Sequence, residues 1–147
     1  MKLIRKGTFE TNSSSCHSIS VSTQGTYEGL TPDHNNEILL SPMEFGWEQD
    51  EYNDSMSKLS YLWIYIKDWS GDSKDAFMEM YQKAVCEHTG ANRVRMNSTS
   101  CKYSPDGSID HQSVEGNELH YLFKEEKTLK DFLFLSGSYI ETDNDNH

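Results

Sequence analysis

The chain has 147 residues, 24 Asp and Glu against 13 Lys and Arg, and a net charge of −11. That length suits one domain with a real core, and a 12% aromatic content excludes a disordered chain. An acidic surface of this kind repels nucleic acid and anionic membranes, so neither is expected as a direct partner.

The charge is unevenly spread. From Gly7 to Ser57 there is no Lys or Arg, while Glu10, Glu28, Asp33, Glu37, Glu44, Glu48, Asp50, Glu51 and Asp54 all fall there. After Lys130 the chain again carries only acids: Asp131, Glu141, Asp143 and Asp145. The three cysteines, Cys16, Cys86 and Cys101, are odd in number and form no CxxC unit, which fits reduced thiols in a cytosol. The start, Met1 to Gly7, lacks the apolar run of a signal peptide, and the longest apolar stretch, Tyr61 to Ile66, is too short to span a bilayer.

In chain order, the first 22 residues read as two short extended pieces flanking a polar string, Phe9-Glu10-Thr11-Asn12-Ser13-Ser14-Ser15-Cys16-His17-Ser18. Residues 24–36, with Gly25, Gly29 and Pro32, read as a loop, and Glu37 to Leu40 as a short strand. Ser41-Pro42-Met43-Glu44 carries a helix-start signal, so one helical turn is expected there. Ser55 to Trp69 has Leu59, Leu62, Trp63 and Ile66 at helical spacing, with Trp63 expected as a core anchor facing Phe77 or Tyr81.

A second helix is expected from about Ser73 to His88, with Asp72 as N-cap and Gly90 in the left-handed capping position. Asn92 to Met96 and Ser108 to Gln112 read as strands around a loop at 97–107. Thr128 to Asp131 resembles a capping box before a short helix through Leu135. Tyr139 to Thr142 reads as a last strand, followed by a frayed tail at 143–147. Strands and helices do not alternate regularly. A single α+β domain is expected over 1–147, with two main helices and a short C-terminal one on a small antiparallel or mixed sheet.

Three polar strings concentrate the chemistry. In an extended chain Ser13, Ser15 and His17 share one face of the first string. In Ile109-Asp110-His111-Gln112-Ser113, Asp110 and His111 take opposite faces and do not make a preformed dyad. Thr142-Asp143-Asn144-Asp145-Asn146 is rich in oxygen ligands but lacks the glycine and the terminal Glu of a calcium loop. No two histidines stand at helical metal-ligand spacing, so no metal or cofactor is expected; a site using His17 and His111 requires the fold to join them. The candidate catalytic residues are Ser13, Ser15, His17, Asp110 and His111. The candidate binding residues are Glu10, Asn12, Gln112, Ser113, Asn144 and Asp145.

With Phe45-Gly46-Trp47-Glu48 and Ser138-Tyr139-Ile140, these strings make a pattern that spans nearly the whole chain. It resembles a family of small uncharacterised proteins of tailed phages and prophages. Cys16 stands where that family usually has Thr or an apolar residue, which argues against an essential thiol there. The resemblance implies a phage or prophage origin and a cytoplasmic setting, and supplies no reaction. Two functions remain open at this point. The leading one is a non-enzymatic phage accessory protein that binds and modulates a host defence or transcription protein, its carboxylates meeting a basic surface. The other is a small hydrolase or transferase, or a nucleotide-binding domain, with a pocket built from 9–18, 109–113 and 142–146. The sequence does not set the oligomeric state.

Overall fold

The computed structural model describes residues 4–6, 15–45, 50–102, 104–109 and 119–144; within them, the side chains of 4–6, 15–18, 50, 143 and 144 fall outside the description. The fold is α+β. Eight strands occur among these residues: β1 (Ile4–Lys6), β2 (Ser15–Val21), β3 (Glu37–Leu40), β4 (Met43–Phe45), β5 (Asp50–Tyr52), β6 (Arg93–Met96), β7 (Gly107–Ile109) and β8 (Tyr139–Asn144). The main helices are α1 (Ser55–Trp69), α2 (Lys74–Thr89) and α3 (Glu126–Phe134), with 3-10 turns at Gly71–Ser73 and Tyr121–Phe123. Strands β1-β2-β8-β5 form an antiparallel sheet, while β3–β6 and β4–β7 are separate parallel pairs. No helix among the described residues is long and apolar enough to cross a membrane.

Helix α1 has the expected bounds. Asp54 caps it, its carboxylate accepting from Ser57 N at 2.9 Å. The helix is buried on more than one face: Leu59, Tyr61, Leu62, Ile64, Tyr65 and Ile66 are all closed to solvent. It is therefore the central element, packed by α2, α3, β3, β4 and β7. Trp63 sits at the margin rather than in the centre. It is half-buried, meets Tyr81 edge-on at 6.3 Å, and donates from Nε1 to Asp106 at 3.0 Å. Phe77 stacks instead on Phe123, with ring centroids 4.1 Å apart.

Helix α2 begins after the 3-10 turn that contains Asp72, so Asp72 is not its cap. It ends at Gly90, which has φ 81° and donates its N–H to Cys86 O at 2.9 Å. Helix α3 starts before Thr128: Leu129 N bonds Glu125 O at 3.2 Å, placing Thr128 inside the helix. Glu126 and Lys127 are good helix formers with no breaker beside them, so the helix extends back through them.

Residues 43–45 form β4 and not a helical turn. A lone turn is too short to offset helix nucleation, whereas the strand buries Phe45 fully and pairs with β7. That pairing needs Gly107, at φ 100°, since a Cβ there would lie 2.1 Å from Met43 O. Strand β5 is an addition to the expected elements; Tyr52 joins the core through an edge-on contact with Phe45 at 5.0 Å. Asp143 and Asn144, expected in a frayed tail, are instead part of β8 and stay paired with β2, while 145–147 lie outside the described residues.

Lys58, on α1, is fully closed to solvent. Its ammonium donates to Ser138 O at 2.9 Å and to Leu135 O at 3.2 Å, holding the turn between α3 and β8. The segment 22–28 is laid along the same turn by Ser22 N on Ser138 Oγ, Ser136 N on Thr26 O and Glu28 N on Phe134 O. Burial lowers the Lys58 pKa to about 8, against the pull of Glu28 and Asp54. The unfolded chain keeps this proton to about pH 10.5 and the folded chain releases it near 8, so stability rises with pH between those values. Relative to Lys58→Met, the parent chain should gain about 2 kcal/mol from about pH 8 to about pH 10 in urea titrations. Parallel pH profiles for the two proteins would show that Lys58 does not titrate in this window.

Candidate functional site

Most of the sequence candidates lie outside the described residues: Glu10, Asn12, Ser13, Asp110, His111, Gln112, Ser113 and Asp145. Ser15, His17 and Asn144 lie inside, and the sheet brings them together. Antiparallel pairing sets Ser15 opposite Asn144 and His17 opposite Thr142. The first and third polar strings, at opposite ends of the sequence, thus run side by side as neighbouring strands.

Strand β5 extends the arrangement. Asp50 pairs with Thr142 from the other side, so one cross-strand row reads His17, Thr142, Asp50. The next row reads Ile19, Ile140, Tyr52, and it belongs to the core. Side-chain positions alternate along a strand, so both rows occupy the same face of the sheet. That face is apolar in its middle and polar toward the Ser15–Asn144 end. The Ile109 end of the second string approaches the same sheet. Ile109 pairs with Phe45, whose ring meets Tyr52 of β5.

Thr142 is fully closed to solvent. A buried hydroxyl is tolerated where it finds partners, and a hydroxyl both donates and accepts. Directly opposed residues of an antiparallel pair have Cβ atoms about 4.5–5.5 Å apart, which allows neighbouring polar groups to interact. The row therefore supplies an imidazole position, a hydroxyl and a carboxylate position on three adjacent strands. Such a set is suited to proton transfer or to holding a polar ligand. Among the described residues no group of His, Cys, Asp and Glu has the proximity to hold a metal ion.

Sequence reasoning misses Asp50 and notes Thr142 only as part of the third string. The signal for Asp50 is weak, because Gln49-Asp50-Glu51 has low strand propensity. Only the edge of β8 and the packing of Tyr52 explain a strand at this place.

No protein-family model, no curated protein and no solved structure matches the chain. The site therefore stands on its own geometry. If the row is formed as the register states, Thr142→Val and Asp50→Asn should each shift the imidazole NMR signals of His17. Asp33→Asn, in the turn before β3, should leave them in place, since the Asp33 carboxylate bonds locally to Asn35 and Glu37. Unmoved His17 signals in both row variants would contradict the arrangement.

Proposed function

We propose that the polar end of the four-stranded sheet is the working site of a small enzyme of the hydrolase or transferase class. In this reading His17 is the proton-transfer group that meets the substrate, and Ser15 is the neighbouring hydroxyl on the same face. Thr142 and Asp50 take the part of positioning residues, from their places in the same cross-strand row. A hydroxyl between an imidazole and a carboxylate can accept from one and donate to the other, which fixes the ring. The observation that carries the reading is the register: two polar strings from opposite ends of the chain become neighbouring strands, and a third strand adds a carboxylate.

The likeness to small phage and prophage proteins supports a setting inside an infected or lysogenic bacterium. The alternative, an acidic surface that captures a basic host protein, has less charge at its disposal than the sequence suggests. Glu28 accepts from Ser55 N at 2.9 Å, Asp33 organises its own turn, and Asp54 caps α1. Glu37 is held between Arg93 and Arg95, whose hydrogen bonds keep its carboxyl below the ordinary range. All four come from the base-free stretch on which the decoy reading rests.

The test uses Ser15→Ala and His17→Ala, with melting temperature and the effect of the expressed protein on the host measured for each. A site predicts folded proteins that have lost their effect, with stability changed by no more than about 1 kcal/mol. Folded, fully active variants contradict the site, and so do variants that fail to fold.

A further inference from the structure

An open groove of about 420 Å³ runs between α2 and α3 and is lined by Tyr27, His88, Glu87, Glu126, Lys127 and Lys130. That volume falls in the range of small-molecule sites. The His88 ring stacks on the buried Phe134 ring at 4.0 Å, and the Tyr27 ring stands 5.9 Å from the imidazole. Tyr27 is 47% exposed, the most open large ring among the described residues.

The charged groups of the groove are set against one another, although Glu126 Oε1, 3.6 Å from Lys130, makes no hydrogen bond among the described residues. Lys127 is bonded to Asp131 at 2.7 Å, and Lys130 to Glu87 at 3.2 Å. Lys83 lies 3.8 Å from Glu126, and the Tyr27 hydroxyl also donates to Asp131. The bond to Asp131 raises the Tyr27 pKa, so the phenol stays neutral, and the same carboxylate raises that of Lys127. Both lysines that line the groove are thus paired with carboxylates, which offsets their charge toward a phosphate.

One hydrogen-bonding atom of the aromatic wall stays open. His88 Nε2 lies 2.8 Å from the backbone O of Glu28. A carbonyl only accepts, so Nε2 carries a proton, and in the uncharged form of the ring the lone pair lies on Nδ1. Nδ1 has no hydrogen-bond partner among the described residues.

An aromatic groove with neutralised rim charges and an open acceptor on its wall calls for a flat, uncharged ring that carries an N–H donor. We propose that this groove binds a nucleobase, as the free base or the nucleoside, with the ring against Tyr27 and His88 and an N–H donated to His88 Nδ1. The phosphate of a nucleotide would add nothing, because the lysines are already paired and the protein is acidic.

The experiment is saturation-transfer NMR on the full chain with adenosine, cytidine, guanosine and uridine, and with their 5′-monophosphates, at millimolar concentration. At least one nucleoside should bind, and its monophosphate should bind no tighter. Tyr27→Ala, at an exposed position, and His88→Phe, which keeps a ring on Phe134 but removes Nδ1, should each weaken binding about tenfold, the scale of one lost stack or hydrogen bond. A thermal melt confirms that each variant is folded; should His88→Phe fail to fold, Tyr27→Ala decides alone. Absence of binding by all four nucleosides overturns the proposal. So does tighter binding of a monophosphate, or nucleoside binding that a folded Tyr27→Ala protein retains in full.

Discussion

The buried ammonium of Lys58 reaches from the central helix to the carbonyls of Leu135 and Ser138, and so fixes where α3 stops and β8 begins. An ion taken out of water needs such partners, since its desolvation costs several kcal/mol. The depressed pKa of Lys58 reflects the part of that penalty its partners do not offset. Both proposed sites hang on the same turn. On one side, segment 22–28 lies along it and brings Tyr27 and the Glu28 carbonyl to the groove. On the other, β8 leaves it and carries Thr142 to its place between His17 and Asp50.

The elements that local rules govern are legible in the sequence. Helix α1 follows from its apolar spacing, and the end of α2 follows from Gly90. Strand β3 is visible as a short apolar run, β6 as an alternation of charged and apolar residues, and the start of β8 as Tyr139-Ile140 after a turn. Where expectation and structure part, a neighbouring or distant element overrides the local signal. The helix-start signal at Ser41 loses to pairing with β7, and the capping box at Thr128 loses to a helix that has already begun.

Lys58 is ambiguous in the sequence. It stands four residues before Leu62 and seven before Tyr65, on the buried stripe of α1. A lysine in that register is either solvated at a helix margin or paired inside, and a single sequence does not separate the two. The candidate site is legible as composition only. The polar strings can be named, but their pairing is a long-range register that neither propensity nor periodicity encodes. Asp50 illustrates the limit, because nothing near it reads as a strand.

The first and third strings share one site only if β2 and β8 meet in a definite register. That register sets Cys16 directly opposite Asp143. Opposed residues in an antiparallel pair lie at Cα separations of about 4.5–5.5 Å, within the span of a disulfide. The direct measurement is oxidation of Asp143→Cys followed by peptide mapping by mass spectrometry, with Thr142→Cys and Asn144→Cys as comparisons. The account predicts a disulfide between Cys16 and the cysteine introduced at position 143, formed faster than at either neighbouring position. Preferential cross-linking at 142 or 144, or none at any of the three, would contradict it.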